Sequence, residues 1–217
     1  MKILIVDDHA VVRQGYTSLL QVMLKDCEVS EAASGEGALA YDLSAFSLVI
    51  LDVSLGGITG IETARRMIAR VPEVKILFFS MHNETPVVQQ ALDTGAAGYI
   101  TKSNSPEILI EAVRKIQAGQ VYVEHELAMR LAMRRPTNKQ SANTPIEDMT
   151  PREFEVFMML ARGMSVRTAA EKLSISAKTV SNYAAMLKSK LDVSSNAEFV
   201  HLAIEFGLLK AFNKEKD

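Results

Sequence analysis

The chain has 217 residues, 48% hydrophobic and 23% charged, with a net charge of −2, which suits two modest domains or one large one and excludes a disordered polymer. No apolar run approaches the roughly 18 residues of a membrane span, and the opening run breaks at Asp7-Asp8 where a secretory signal would continue. One cysteine, Cys27, allows no internal disulfide and fits a reducing cytoplasm, as ordinary packing before the second strand.

Over the first 120 residues, apolar runs alternate with helical patterns. Strands are expected near 2–6, 27–32, 47–52, 74–79 and 97–100, and helices near 10–24, 35–44, 60–70, 84–94 and 105–118. Such alternation implies βαβ units with right-handed crossovers and a five-stranded, doubly wound parallel sheet. Next, Arg134-Arg135-Pro136-Thr137-Asn138-Lys139-Gln140-Ser141-Ala142-Asn143-Thr144-Pro145 is too polar to offset its ordering entropy and reads as a solvated linker. Residues 124–134 before it keep helical spacing through Leu127 and Leu131.

Strand signals vanish from Thr150 onward. Thr150-Pro151-Arg152-Glu153 is a capping box opening a helix that ends at Gly163. Ser165, Ser176 and Ser194 or Ser195 cap three more, the last running to Gly207. The bounds are 1–120, a linker over 121–149, and a small all-α domain over 150–210. Residues 1–123 carry 10 Lys/Arg against 14 Asp/Glu, whereas residues 150–217 carry 10 against 8. An acidic module thus precedes one suited to polyanions.

Asp7, Asp8, Asp52, Ser80 and Lys102 all follow strand ends, the rim where open α/β sheets bind ligands. Three carboxylates, a hydroxyl and an ammonium form the inventory for Mg2+ and a phosphoryl group. Asp52, on a rigid strand, suits the acceptor; Asp7 and Asp8 suit a hard cation, with the Ser54 carbonyl as a further ligand. His9 and His82 border the rim and are read as solvent-facing, and Met158, Met159 and Met186 as core fillers.

Residues 1–120 resemble a response-regulator receiver, through Val6-Asp7-Asp8-His9, Leu51-Asp52-Val53, Phe79-Ser80-Met81 and Tyr99-Ile100-Thr101-Lys102. Residues 150–207 resemble a LuxR-type helix-turn-helix, through Thr150-Pro151-Arg152-Glu153, Leu160-Ala161-Arg162-Gly163, Ser176-Ala177-Lys178-Thr179-Val180 and Lys190-Leu191. Together they resemble the NarL/FixJ class of transcription regulators. The resemblance implies a flavodoxin-like receiver, phosphate accepted on Asp52 from a histidine kinase, and Mg2+ at Asp7, Asp8, Asp52 and Ser54. Ser80 and Tyr99 would form a switch pair, and Lys102 would contact the phosphoryl group. In the output domain the third helix would enter the major groove of double-stranded DNA. Ser181, Asn182 and Ala185 would face bases, and Lys178, Thr179, Tyr183, Lys188 and Lys190 phosphates. The implied protein is not an enzyme, and forms a homodimer when phosphorylated.

Two departures stand out. Leu55-Gly56-Gly57-Ile58-Thr59-Gly60 replaces the Met-Pro-Gly-Met-Asp-Gly common in such receivers, and losing proline leaves the loop freer. Ser103 follows Lys102 where many receivers have proline, and a cis bond before serine would cost about 2.5–4 kcal/mol. One rival reading is a Mg2+-dependent phosphohydrolase, which would want a second carboxylate where Ser54 stands. Another is a degenerate receiver serving only as an interaction module.

Overall fold

The computed structural model describes residues 1–133, 149–173, 175–206 and 208–209. The chain divides into two compact units, Met1–Pro136 and Thr137–Asp217. The first contains β1 (Lys2–Val6), α1 (Ala10–Met23), β2 (Glu28–Ala32), α2 (Gly35–Leu39), β3 (Leu48–Leu51), α3 (Gly60–Arg70), β4 (Ile76–Ser80), α4 (Thr85–Leu92), β5 (Gly98–Thr101), α5 (Pro106–Gln117), β6 (Tyr122–Val123) and α6 (His125–Met133). The second contains α7 (Pro151–Ala161), α8 (Val166–Lys172), α9 (Ala177–Leu191) and α10 (Asn196–Glu205).

The strands form one parallel sheet in the order β2-β1-β3-β4-β5-β6. All four residues of β3 and all five of β4 are buried, as continuous apolar runs in a doubly covered sheet require. On one face Ile3, Ile5, Ile50, Leu77, Phe79 and Ile100 pack with Leu20 of α1 and with Leu109, Val113 and Ile116 of α5. The edge of the Tyr16 ring meets Phe79 at 4.6 Å between centroids.

The sheet has six strands where the sequence suggests five. The extra strand, β6, is two residues long, pairing Tyr122 with Gly98 and Val123 with Tyr99, too short for a periodic signal. It also evades the crossover rule. Because α5 shares the face of α1, the β5–α5–β6 connection has the opposite hand from the others. The helix expected over 35–44 is likewise split, into α2 and a 3-10 turn at Leu43–Ala45.

The loop after β3, which lacks the proline, is held by a glycine turn and a distant carboxylate. Gly57 turns it at φ +83, and the Glu36 carboxylate accepts the Ile58 N–H at 3.1 Å. Gly60 is required by contact, since a Cβ there would lie 1.8 Å from the main-chain oxygen of Asp52. All peptide bonds of the described residues are trans.

In the second unit each serine or threonine cap falls where the sequence places it. Thr150 accepts from the Glu153 N–H and Glu153 reaches back to the Thr150 N–H at 2.8 Å, while Ser165 and Ser176 cap α8 and α9. Phe154, Phe157, Val180, Leu187 and Phe199 are buried among the four helices. Met158 is buried as expected, but Met186 is 44% exposed. It lies on the outer face of α9, where apolar character does not imply core. The linker sequence of residues 134–148 and the helix stop at Gly207 lie outside the described residues. No helix of the described residues is long and apolar enough to cross a membrane.

Candidate functional site

The register of the sheet gathers the rim. Val6, Leu51 and Phe78 are neighbours across β1, β3 and β4, so Asp7, Asp52 and Ser80 emerge side by side. Asp7 is 3% and Asp52 4% exposed. The Lys102 ammonium, arriving after β5, donates to Asp7 Oδ2 at 2.5 Å and Asp52 Oδ2 at 2.6 Å. Asp8 stays open to solvent, and His9 Nδ1 lies 2.8 Å from its Oδ1.

Electrostatics explain why this pairing is needed. Burial pushes the Asp52 carboxyl above its ordinary pKa, and Lys102 opposes the push. For Lys102 burial would lower the pKa, but Asp52 and Asp7 outweigh it and hold the ammonium charged. One lysine stands against two buried carboxylates, leaving a net negative pocket. Ligand atoms of Asp7, Asp8, His9 and Asp52 lie within 4.8 Å of one another. Three hard carboxylate oxygens suit Mg2+, whereas the imidazole does not match its preference and would serve beside the ion. The Ser54 N–H donates to Asp52 Oδ1 at 3.3 Å, so the stretch offering the Ser54 carbonyl is tied to the same carboxylate.

Ser80 and Tyr99 are both fully buried, and one residue joins them. The His82 N–H donates to Ser80 Oγ at a long 3.5 Å, and the Tyr99 hydroxyl donates to the His82 carbonyl at 2.9 Å. Burial raises the Tyr99 phenol's pKa far above its ordinary value, with Asp52 and Glu84 adding to the shift. The His82 side chain is only 14% exposed, which corrects its reading as solvent-facing. Its Nε2 lies 2.8 Å from Ser54 Oγ and its Nδ1 3.3 Å from Glu84 Oε2. No motif marked His82; its spacing of two after the Ser80 strand end was the only available signal. His9, by contrast, is exposed as expected.

The other candidate surface lies on α9. Lys178, Ser181, Asn182 and Ala185 are exposed and share one stripe at helical spacing. Thr179 and Tyr183 are half-buried to one side, and the Thr179 hydroxyl is 2.8 Å from Ser176 Oγ. Lys188 is half-buried. Lys190 is engaged within the unit, its ammonium donating to the buried Glu153 carboxylate at 2.8 Å, which separates it from the other lysines of the helix.

Comparison with known proteins matches residues 3–114 to the response regulator receiver domain and residues 147–203 to the luxR family of bacterial regulatory proteins. The chain is 49% identical over 211 residues to the transcriptional activator protein ExaE of Pseudomonas putida, covering 97% of this chain and 99% of that one. It is 32% identical over 212 residues to the response regulator UvrY of Escherichia coli, covering 97% of each. Among solved structures, a LuxR-family two-component response regulator from an Aurantimonas species matches with 34% identity and a TM-score of 0.57, over 60% of this chain and 94% of that one.

Proposed function

Because the chain belongs to the NarL/FixJ class of response regulators, which join a receiver to a LuxR-type DNA-binding domain, we propose that phosphate accepted on Asp52 controls its binding to double-stranded DNA. The observation that carries this reading is the Lys102 ammonium held within 2.6 Å of both buried carboxylates. An acceptor at a rigid strand end needs positioning and charge neutralisation more than any further covalent machinery. An Asp52 oxygen attacks phosphorus as the bond to the donor imidazole of a histidine kinase breaks. Lys102 then shifts its hydrogen bonds from the carboxylates to the phosphoryl oxygens. Mg2+, held by Asp7, Asp8, Asp52 and the Ser54 carbonyl, supplies positive charge against those oxygens when bound.

Ser80 turns its hydroxyl to the phosphoryl group, and the ring of Tyr99 follows through the shared His82 peptide. That rearrangement biases a two-state equilibrium, because the hydroxyl meets the phosphoryl oxygen in only one state. Residues 1–120, extended by β6 and α6 of the same unit, act as the receiver, and 150–210 as the DNA-binding module. The third helix of that module, α9, lies in the major groove with Ser181, Asn182 and Ala185 at base edges. Lys178, Thr179, Tyr183 and Lys188 lie toward phosphates, whereas Lys190, expected among them from the sequence, is engaged by Glu153. Phosphorylation favours a homodimer, since residues 150–217 carry only two more basic than acidic residues and a single copy gains little from phosphates. The site serves a cytoplasmic regulator and not a turnover enzyme, a reading supported by Ser54 at the position where a hydrolase would want a second carboxylate. The likeness to an activator protein supports a role in switching transcription on. The test is a gel shift on genomic fragments with and without acetyl phosphate and Mg2+. Equal binding in both conditions would sink phosphorylation control.

A further inference from the structure

We propose that Glu124 is a positioning residue for phosphoryl acceptance, fixing the β5–α5 loop so that Lys102 stands over Asp7 and Asp52. The proposal rests on the reading of Asp52 as phosphoacceptor. Glu124 lies between β6 and α6, far along the chain from the rim. Its Oε2 accepts the Thr101 main-chain N–H at 2.9 Å and the Thr101 hydroxyl at 3.0 Å. It also accepts the side-chain amide of Asn104. Thr101 and Asn104 bracket Lys102 and Ser103, so one carboxylate holds both ends of the segment carrying the lysine.

The donor arithmetic shows why an acid is needed there. A hydroxyl has one proton and two acceptor lone pairs. With the Thr101 proton committed to Glu124, its oxygen receives Asn104 Nδ2 at 2.9 Å and Ser103 Oγ at 3.0 Å. An acceptor-only group at Glu124 therefore sets the direction of the hydroxyl hydrogen bonds in the loop. Thr101-Lys102-Ser103-Asn104 contains no proline to restrict its backbone, and the carboxylate supplies that restraint from outside. At the other side the Lys102 N–H donates to the Ser80 carbonyl at 2.8 Å, which ties the same loop to the strand end bearing the switch hydroxyl. Lysine is long and rotamer-rich, so its ammonium reaches the phosphoryl oxygens in register only when its Cα is held.

The experiment follows phosphorylation of the full chain by acetyl phosphate with Mg2+. In that step an Asp52 oxygen bonds to phosphorus while the phosphorus–oxygen bond to acetate breaks, and acetate leaves with the electron pair. Glu124→Ala is expected to lower the rate at saturating acetyl phosphate by about 10- to 100-fold, the scale of a misplacement near 1 Å. Glu124→Gln, which keeps an acceptor oxygen, should recover most of that rate. In a Lys102→Ala background Glu124→Ala should have no further effect, because the group it positions is gone. A parental rate in Glu124→Ala, or equal slowing in both backgrounds, overturns the proposal. Should Glu124→Ala fail to fold, Thr101→Val removes one of the three hydrogen bonds at constant shape and carries the same two-background comparison. Asp52→Asn is the parallel control: labelling equal to the parent would overturn the acceptor reading itself, a result distinct from failure at Glu124.

Discussion

Asp52 and Asn182 are both candidate contact residues, but their settings are opposite. Asp52 is 4% exposed, hydrogen-bonded to Lys102, and set just after the end of a strand paired on both sides. Asn182 stands exposed on the outer face of α9. A site for a small, highly charged group gains from burial, since a low dielectric strengthens every charge–charge contact and each group must be paired in advance. A surface for duplex DNA must remain accessible, and its selectivity comes from side chains that find partners only in the complex. Substitution of the buried acceptor should therefore have an all-or-none effect, and substitutions on α9 graded ones.

The largest effect is expected at Asp52. Asp52→Asn should abolish phosphorylation by acetyl phosphate, because an amide is a poor nucleophile and one negative ligand for Mg2+ is lost. Phosphate retained on that variant, located by mass spectrometry, would identify another acceptor. Ser80→Ala should be labelled nearly as well as the parent, yet gain much less DNA affinity on phosphorylation. The coupling at stake is of the usual allosteric size, about 1–3 kcal/mol or 5- to 150-fold. If phosphorylated Ser80→Ala binds its operator as tightly as the phosphorylated parent, the switch lies elsewhere.

The same contrast explains what the sequence made legible. Strands buried on both faces leave unbroken apolar runs, so β1, β3 and β4 were visible and Asp7, Asp52 and Ser80 could be placed at their ends. Lys102 could be added because β5 is parallel and in register with β4. What escaped was structure held by long-range contacts. β6 is two residues paired to β5; Glu36 ties the loop after β3 from a distant helix; His82 joins Ser54, Ser80 and Tyr99 through loop geometry. Met186 shows the limit in the second unit, where apolar character was taken for core at a position that faces solvent. The α9 stripe was implied by the resemblance to a LuxR-type helix-turn-helix and agrees with helical spacing, but the commitment of Lys190 to Glu153 was not legible, since the two are 37 residues apart.

That commitment sharpens the comparison within α9 itself. Lys190→Ala should destabilise the second unit by about 1–3 kcal/mol, because it strips a partner from the buried Glu153 carboxylate. Lys188→Ala should leave stability nearly unchanged, weaken binding to operator and scrambled DNA alike, and flatten the log–log salt slope by about 0.9. Asn182→Ala should instead lose about 1–3 kcal/mol on operator DNA alone, the value of one bidentate base contact. Melting curves with binding across a salt series separate the three. An unchanged slope in Lys188→Ala would remove it from the phosphate face. Equal loss on both DNAs in Asn182→Ala would mean another face of α9 enters the groove.

The smallest effect concerns a carboxylate that is only half-buried yet strongly bound. Glu198 accepts the Ser194 hydroxyl at 2.8 Å and the Ser195 hydroxyl at 2.7 Å, and the Ser195 N–H at 3.0 Å. These bonds, with the Ser195 and Ser194 hydroxyls foremost, lower its pKa from an ordinary 4.5 to about 2. A group whose folded pKa is depressed contributes stability that is fully present above its unfolded value and is lost as pH falls through its folded value. The Glu198 contribution should thus be complete at neutral pH, decline below about 4.5 and be gone near 2. Glu198→Ala should accordingly lower the melting temperature modestly at neutral pH, with the gap to the parent closing across that window. Glu198→Gln retains a capping oxygen but no charge to protonate, so it should lie between the two at neutral pH and approach the parent as the acid is neutralised. A gap between parent and Glu198→Ala that stays constant from neutral pH down to about 2 would show that the side chain acts through packing. In that case the charge-assisted cap at the start of α10 would not exist in solution.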